Sequence, residues 1–502
     1  MEDKNMKSMI KDIRILAALL TVGAAMTACS GDDIIDEQHR EQTPETYTIT
    51  VKATKELNSS RGLELSGSTL SSVWEVGERV MVVQNNASDE PTLIGELSAT
   101  AAGSTTTLTG TVNSSFDPAR ALKFYLHATT FDYTGQDGTL ASAGQNQTFA
   151  SCEKTASDIS VSGSTVTISG DLGFTNAQAV VRFSLVDNAT SNPINARFMT
   201  VHDASGLLVK KNDQLAPSGL VNGDVAIKLN AASSTVFASL SGVSSSNLTL
   251  YASDGTSLYA YTRAGVTFQQ GCYYQVQVRM TKLCSIGDVI LSDGSFAAPG
   301  TAGAVAMVAY LGNDAGNDTY NRGLAIALED EGSGTVAWSD NIEELAGVSH
   351  STDIDDHIGF LDGMAETEFL NTKYNGFAAT KAKNYAVAAP AGMSGWFLPS
   401  TGQWIKFFEA AGLDVNGWTI TWFDSNQYFY ASIPGMTTVN NLFEAAAPGS
   451  AFHDLSCYWT TCEHNERYAA SVSFREYGDA VQYWYFKKSL DNIGLIRPFL
   501  AF

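Results

Sequence analysis

Cysteines are the side chains in this chain that could serve as nucleophiles or as soft metal ligands. The sequence has six of them, and Cys457 and Cys462 stand close together in "CYWTTCE", where a thiolate pair would suit Cu(I). Positions an odd number apart in a β-strand lie on opposite faces, which would separate the two sulfurs. The spacing therefore predicts free thiols, and a disulfide across a bend or a copper site remains open as an alternative.

Aromatic side chains near the C-terminus could bind a ligand by stacking. They are concentrated in "NGWTITWFDSNQYFYAS" and "QYWYF", and exposed aromatic faces pack on sugar rings or anchor protein interfaces at low entropy cost. Because about half of the side chains in an alternating strand point inward, core packing is the alternative for each of them. We predict a ligand-binding surface formed by Trp418, Trp422, Tyr428, Tyr430 and Trp484.

The other polar clusters match no catalytic or metal-binding spacing. Asp314, Asp318 and Asp340 lie in stretches rich in Asp and Asn, which usually form solvated turns, and calcium binding at these stretches is left open. The acidic segment 351–357 lacks the spacing of an EF-hand and is expected at the surface. There is no nucleophile elbow and no phosphate-binding glycine loop, so we predict a protein that is not an enzyme, with neither metal nor cofactor.

Charge and composition narrow the class of protein further. Acidic residues outnumber basic ones by 53 to 30, and the net charge of −23 opposes direct binding to nucleic acid or anionic lipid. Charged residues make up only 17% of the sequence. Together with short runs of β-branched residues, this composition favours an all-β secreted or surface protein.

The first residues have the organisation of a secretory signal peptide, predicted to span 1–28. The apolar run Ile15–Met26 follows basic residues and is too short for the roughly 20 residues that a membrane-spanning helix needs. "MTAC" resembles the lipobox of bacterial lipoproteins, which implies that Cys29 is lipidated, with palmitate in the anchor. The acidic tether 29–45 resembles the export signal of surface lipoproteins in Bacteroidetes. These resemblances imply a surface-exposed protein that is lipid-anchored in the cell outer membrane.

Between residues 46 and 282 the sequence predicts a mainly β fold. In "YTITVKATKE", Tyr47, Ile49 and Val51 would share one face of a strand. Similar short runs follow, separated by turn residues at the spacing of β-sandwich domains, and no long helix is predicted among them. We predict two tandem β-sandwich domains, 46–170 and 171–282.

From residue 283 onward, helix signals accompany the strands. "FLPSTGQWIKFFEAAGLD" predicts a helix in which Ser400 and Gln403 form a capping box and Gly412 ends the helix. "AATKAKNYAVAAP" and "VNNLFEAAAPG" are two further helix candidates, and "CYWTTCEH", "AVQYWYF" and "IRPFLAF" predict strands. The third domain, 283–502, is therefore predicted to be α+β.

The first two predicted domains resemble the fimbrillin family of Bacteroidetes, the pilin-like lipoproteins. The resemblance rests on an opening strand followed by "SSRG", on "WEVGERVMV" and on "YYQVQVRM". It implies that other pilin subunits are partners, and that an arginine-specific protease cuts at Arg61 and removes the first strand. Another subunit would then fill the groove by adding a strand to the sheet, whereas an uncut loop arginine is the alternative. Trp74 is expected to be a core anchor.

The third domain resembles the C-type-lectin-like domains of Bacteroidetes surface lipoproteins, whose fold is shared by formylglycine-generating enzymes. Its landmarks are "SIGDVILSDGSF", "RGLAIALED" with "VAWSD", "GWFLPSTGQW", "YWTTCE" and "IRPFLAF". The enzymes carry an essential cysteine pair at the spacing of Cys457 and Cys462, but their arginine-rich surroundings are missing here. Trp396, Trp404 and Trp459 lie within landmarks and are expected to be structural.

These features together predict a surface lipoprotein of the fimbrillin-like kind. We expect a pilus tip subunit located in a fimbrium, or an adhesin, in which the lectin-like domain recognises a glycan or protein on a host or bacterial surface. "IRPFLAF" is expected to be an integral strand and not one that is donated to a neighbour. The alternatives are a stand-alone glycan-binding surface lipoprotein and, less favoured, an oxidase similar to the formylglycine-generating enzymes.

Overall fold

The computed structural model describes residues 46–55, 64–66, 69–71, 73–145, 149–216, 218–317, 319–332, 334–340, 343–374, 377–423, 428–488 and 494–502. This part of the chain is mainly β, as predicted. Its strands are β1 (Thr46–Lys55), β2 (Glu64–Ser66), β3 (Thr69–Ser71), β4 (Arg79–Asn85), β5 (Pro91–Ala99), β6 (Thr105–Asn113), β7 (Leu122–Leu126), β8 (Thr130–Asp132), β9 (Ala150–Lys154), β10 (Ile159–Ser162), β11 (Thr165–Ile168), β12 (Leu172–Asn176), β13 (Gln178–Asp187), β14 (Ala196–Asp203), β15 (Val209–Asp213), β16 (Leu220–Asn222), β17 (Val225–Ser233), β18 (Thr235–Ser241), β19 (Val243–Ser253), β20 (Ser257–Phe268), β21 (Tyr273–Ser285), β22 (Val289–Leu291), β23 (Phe296–Ala297), β24 (Ala304–Tyr310), β25 (Leu324–Ala327), β26 (Thr419–Phe423), β27 (Tyr428–Pro434), β28 (Cys457–Glu463), β29 (Tyr468–Arg475), β30 (Ala480–Lys487) and β31 (Phe499–Ala501).

The helices lie mostly in the C-terminal part of the described chain. They are α1 (Leu140–Gln145), α2 (Ile354–His357), α3 (Gly363–Lys373), α4 (Phe377–Lys383), α5 (Thr401–Ala410) and α6 (Met436–Ala446). No helix among the described residues has the length and apolar character needed to cross a membrane.

The first sheet closes on itself. Its order is β10-β11-β1-β12-β9-β7-β4-β5-β6, and β6 pairs back with β1. Closure protects strand edges that would otherwise recruit other chains. Trp74 is fully buried in the enclosed core, which confirms it as a core anchor. Strand β12 belongs to this sheet, although the predicted boundary at residue 170 places it in the next domain.

A second sheet follows in the order β17-β14-β19-β20-β21-β13-β18. Strand β8, which precedes it in the chain, pairs with β15 in a small sheet beside it. Phe131 and Tyr133, from the β8 segment, pack in the same apolar core as Val181 and Phe183 of β13. The two sheet assemblies are thus joined by shared core packing as well as by the covalent chain.

The C-terminal part holds two five-stranded sheets, β23-β22-β24-β25-β31 and β26-β27-β30-β29-β28. Helices α5 and α6 contribute Trp404, Phe408 and Phe443 to the core between the sheets. Trp404 has no exposed surface, and its ring lies 4.8 Å from that of Phe499 between centroids. Trp396 and Trp459 are buried too, so the structural role expected for the three tryptophans is confirmed.

Helices were predicted most accurately where residues close together in sequence mark their first and last turns. Helix α5 has Ser400 as N-cap with both capping-box hydrogen bonds, and Gly412 follows it at φ +89°. Helices α4 and α6 also match predicted candidates. Helix α3 was not predicted: its N-cap Asp362 makes no side-chain capping bond, so the sequence carries no start signal there.

Candidate functional site

Strand β1 lies inside the closed sheet with hydrogen-bonded neighbours on both sides. It runs antiparallel to β6 from Thr46, opposite Asn113, to Thr54, opposite Thr105. On its other side it runs parallel to β11 and then to β12, with Ala53 opposite Leu172. An inserted strand of this kind can be replaced only by another strand that satisfies both sets of neighbours.

The side chains of β1 alternate strictly between core and surface. Tyr47, Ile49, Val51 and Ala53 are buried in the first core, which confirms the predicted face. Lys52, on the opposite face, is exposed. The strand is therefore specified by its apolar pattern, since a one-residue slip would turn that face toward water.

Lys55 anchors the end of β1 in an environment that the sequence did not reveal. Its ammonium donates to both carboxylate oxygens of Glu78, at 2.8 and 2.7 Å, and to the carbonyl oxygen of Val73. It also lies 4.4 Å from the ring of Trp74. The side chains of Lys55 and Glu78 are 0% and 1% exposed, so the pair is fully desolvated.

His127 reinforces this buried charge pair. Its Nε2 lies 2.9 Å from Glu78 Oε1. Burial by itself would raise the pKa of Glu78, but the hydrogen bond from His127 and the charge of Lys55 outweigh it, and the pKa lies below its usual value. Glu78 therefore stays ionised and holds Lys55 in place.

Two predicted sites fall outside the described residues. These are Cys29, the predicted lipidation site, and Arg61, the predicted cleavage site, which follows β1 in the sequence. Both remain predictions.

The five predicted ligand-binding residues belong to three adjacent strands or their ends. Trp418 is half-buried just before β26, and Trp484 is half-buried in β30, where it stacks on Phe486. Trp422 occupies the position opposite Phe429, and Tyr430 the position opposite Thr421. The side chains of Trp422, Tyr428 and Tyr430 lie outside the described part of the structure. Strands β26, β27 and β30 are neighbours in one sheet, so the five positions share a region of the fold, and their role remains a prediction.

Cys457 and Cys462 are both buried and free, as the spacing predicts. The register of β28 shifts between them. The Cys462 sulfur accepts a hydrogen bond from the Thr401 amide at 3.4 Å, whereas Cys457 lies beside Ser471 and Ser473. Burial raises the pKa of both thiols, that of Cys462 to about 12. Both are protonated at neutral pH, a state that disfavours metal binding and nucleophilic attack.

Asp314 pairs with cations of the protein, and this differs from the calcium role left open for its loop. Its carboxylate lies 2.9 Å from Lys228 Nζ and 3.3 Å from Lys406 Nζ, and it accepts a hydrogen bond from the Tyr310 hydroxyl. Lys228 belongs to β17 and Lys406 to α5. The three charges therefore tie the second sheet to the C-terminal part.

The acidic segment 351–357 is only partly at the surface. Asp355 and Asp356 are exposed as expected, but His357 is fully buried. Its Nε2 lies 2.8 Å from the Ser351 carbonyl oxygen, and since a carbonyl oxygen only accepts, Nε2 carries the proton. Nδ1 is buried without a hydrogen-bond partner in the described structure. Burial lowers the pKa of His357 to about 4, because protonating Nδ1 would create a buried, unpaired donor.

Acid should therefore destabilise the protein through His357. The unfolded side chain titrates near pH 6.5 and the folded one near pH 4, so stability is present above pH 6.5 and is lost as pH falls through this interval. The loss approaches roughly 3 kcal/mol, at about 1.4 kcal/mol per pKa unit. Urea unfolding of wild type and His357→Gln at several pH values measures it. The advantage of the wild type should shrink from pH 7.5 to pH 4.5, and a constant difference would contradict the account.

The second sheet and the C-terminal part meet over a continuous apolar cluster. Phe198 and Leu258 of the second sheet pack with Ile290, Trp396 and Phe502 of the C-terminal part. Two cavities flank this junction: one of about 560 Å³ contains Arg197 and the Lys228–Asp314–Lys406 group, and one of about 440 Å³ contains His202 and Arg322. Their linings come from strands and loops far apart in sequence, and no motif identified them in advance.

Comparison with known proteins gives structural neighbours only. No protein-family model and no curated protein matches the chain. A fimbrial protein from Bacteroides ovatus is similar with a TM-score of 0.32 and 14% identity, covering 91% of this chain and 99% of that one. A C-terminally truncated tip fimbrial protein from Porphyromonas gingivalis has a TM-score of 0.27 and 10% identity, covering 47% and 95%. A fimbrial assembly protein from Parabacteroides distasonis has a TM-score of 0.27 and 8% identity, covering 46% and 90%.

Proposed function

We propose that this chain is a surface-exposed, pilus-associated adhesin that accepts a strand from another pilin subunit in place of β1. The observation that carries the proposal is the position of β1, the first described strand, inserted between β6 on one side and β11 and β12 on the other. Removing an inserted strand leaves two facing edges of unpaired backbone groups. Such edges recruit a new strand through main-chain hydrogen bonds.

The vacated groove would select its occupant by pattern and direction. The incoming strand must run antiparallel to β6 and present apolar side chains at the positions of Tyr47, Ile49, Val51 and Ala53. Burying a large apolar side chain contributes about 1.5–3 kcal/mol, so several such positions together give a stable complex. A cation at the position of Lys55 would also restore the partner of Glu78.

Cleavage at Arg61 is the step we propose for opening the groove. The arginine follows β1 in the sequence and stands after Ser59 and Ser60. A cut there would separate residues 29–61, which include the lipidated Cys29 and β1, from the rest of the protein. After the cut, the fragment that carries the lipid anchor and β1 could dissociate, and its departure would vacate the acceptor groove.

Ligand recognition is assigned to the C-terminal, lectin-like part, with the aromatic positions of β26, β27 and β30 as its binding surface. Strand β31 is poorly suited to donation. It pairs with β25, and Phe499, Leu500 and Ala501 are fully buried. Withdrawing β31 would open the C-terminal core, so the chain is proposed to accept a strand and not to give this one.

Strand exchange can be tested with the full-length protein and an arginine-specific protease. Mass spectrometry should show a cut after Arg61, and the cut protein should capture a labelled peptide with the β1 sequence TYTITVKATK. Arg61→Gln is the matched uncleavable control. A peptide of the same composition with the alternation disrupted should bind at least tenfold more weakly, because its apolar residues would no longer all face the core. A protein that sheds 29–61 and captures neither peptide, or that resists cutting at Arg61, would rule out the strand-exchange function.

A further inference from the structure

The smaller junction cavity contains an arginine that forms no ion pair with any described residue. Its volume of about 440 Å³ is within the roughly 300–1,000 Å³ of small-molecule sites. We call it the Arg322 pocket, and its lining includes His202, Asp224, Tyr251, Tyr320 and Arg322. Among the described residues, the Arg322 side chain makes no hydrogen bond or ion pair. Its guanidinium lies 4.5 Å from the centre of the Tyr251 ring.

The loop between β24 and β25 holds Arg322 in this position. The Arg322 backbone amide donates to the Phe502 carbonyl oxygen at 2.8 Å, and the neighbouring Gly323 carbonyl oxygen accepts from the Phe502 amide. Phe502 belongs to the apolar cluster at the junction. The backbone of Arg322 is thus fixed at a packed interface. The residue is half-buried, and its guanidinium lies over Tyr251.

The carboxylate in the pocket already has a partner other than Arg322. Asp224 Oδ1 lies 2.8 Å from His202 Nδ1, and since a carboxylate accepts, Nδ1 carries a proton and donates a hydrogen bond to Asp224. This hydrogen bond raises the pKa of His202. The ring of His202 lies 6.4 Å from that of Tyr251 between centroids. Asp224 is therefore bonded to His202, and the Arg322 guanidinium is available to bind an anionic ligand.

The geometry points to a carboxylate-bearing sugar: we propose that the Arg322 pocket binds an acidic monosaccharide unit of a surface glycan. A planar guanidinium fork matches a carboxylate with two parallel hydrogen bonds. Tyr320, which also lines the pocket, offers an aromatic surface to a sugar ring. Val221 is the single aliphatic side chain in the lining, so the pocket offers little surface for apolar peptide side chains or lipid. The net charge of −23 opposes a polyanion, whereas the Arg322 guanidinium suits a ligand with a single carboxylate.

This inference rests on the proposed adhesin function, because it identifies the class of ligand. It is tested by a glycan array on which each glycan with a carboxylated sugar is paired with its methyl ester. The full-length wild-type protein should bind one or more carboxylated glycans and lose at least tenfold in affinity for their esters. Arg322→Gln should lose a similar factor, because one charge-assisted, two-point contact is removed.

Arg197→Gln is the matched control, since this arginine lines the neighbouring cavity at the same junction. Its affinity for the array should equal that of the wild type. Equal binding to acids and esters, equal losses in the two variants, binding to acidic peptides alone, or no bound carboxylated glycan would each overturn the proposal. Capture of the β1 peptide by Arg322→Gln verifies its fold. If strand exchange is wrong, the wild type also fails to capture the β1 peptide, whereas its binding to the glycan array is unaffected. The two proposals can therefore be tested separately.

Discussion

Lys55→Met is expected to lower the free energy of unfolding of the first sheet assembly by about 3–5 kcal/mol, the cost of leaving one buried charge without its partner. Methionine has a comparable length and keeps the apolar contacts, so the change removes mainly the ammonium group. Glu78 would then lie in the core without its cation, and the Val73 carbonyl oxygen would lose its donor. Chemical denaturation of a variant set in which Trp74 is the single remaining tryptophan, or of the full protein followed by hydrogen exchange of the first sheet, measures the effect.

The control for this variant lies on the same strand. Lys52→Met alters an exposed lysine of β1 and should change stability by less than about 0.5 kcal/mol. The double variant Lys55→Met with Glu78→Leu should recover much of the lost stability, because no unpaired charge remains. If the double variant were as unstable as the sum of the two single variants, the buried pair would not be the cause.

Lys55 also bears on strand exchange. In the intact protein, the pair with Glu78 retains β1, and a donor strand lacking a cation at that position would bind less well. Lys55→Met should therefore accelerate the loss of β1 after cleavage at Arg61. The rate at which the fragment dissociates provides a second readout, which a loss of general stability in the C-terminal part would leave unchanged.

Arg497→Met should also destabilise the C-terminal part, by about 3 kcal/mol, since it removes the buried partner of a pair with the partly exposed Asp330. The Arg497 guanidinium donates to Asp330 Oδ1 at 2.6 Å and to the carbonyl oxygens of Ala327, Leu328 and Ser450. Each carbonyl left without a donor adds its own desolvation cost. Near-ultraviolet circular dichroism during denaturation reports on the aromatic core.

The planar geometry of the Arg497 guanidinium also predicts how the substitution Arg497→Lys affects stability. Arg497 lies over Phe452 at 4.7 Å and is 3% exposed. Arg497→Lys keeps the charge but cannot reach Asp330 and the three carbonyls together, so it should restore only part of the stability. Arg467→Met, at an exposed position of the same part, should be nearly neutral. Full rescue by lysine would show that charge alone matters at this site.

Local patterns explain what was predicted correctly. Alternation of apolar and polar residues predicted the buried face of β1, because side-chain direction in a strand depends only on position along it. The capping box at Ser400 predicted the start of α5, since both hydrogen bonds join residues three apart. Burial of Trp74 and Trp404 followed from apolar size, which favours the interior wherever the chain folds.

Long-range contacts explain the rest. Nothing near Lys55 indicates burial, and its partner Glu78 is 23 positions away. His357 follows a run of acidic residues that is typical of a surface, yet Tyr483 and Phe360 enclose its ring. Asp314 stands in a loop rich in Asp and Asn, where cations from β17 and α5 make it part of an interface.

The sequence by itself determined the mainly β class, the alternating pattern of β1 and the helix at Ser400. Each depends on residues a few positions apart, whose geometry the backbone dictates. Only the tertiary structure decided that β1 is enclosed on both sides, that Lys55 and Glu78 form a buried pair, and that Arg322 lies over Tyr251. These features depend on which distant segments the closed sheet and the packed junction bring together, and no local pattern encodes that choice.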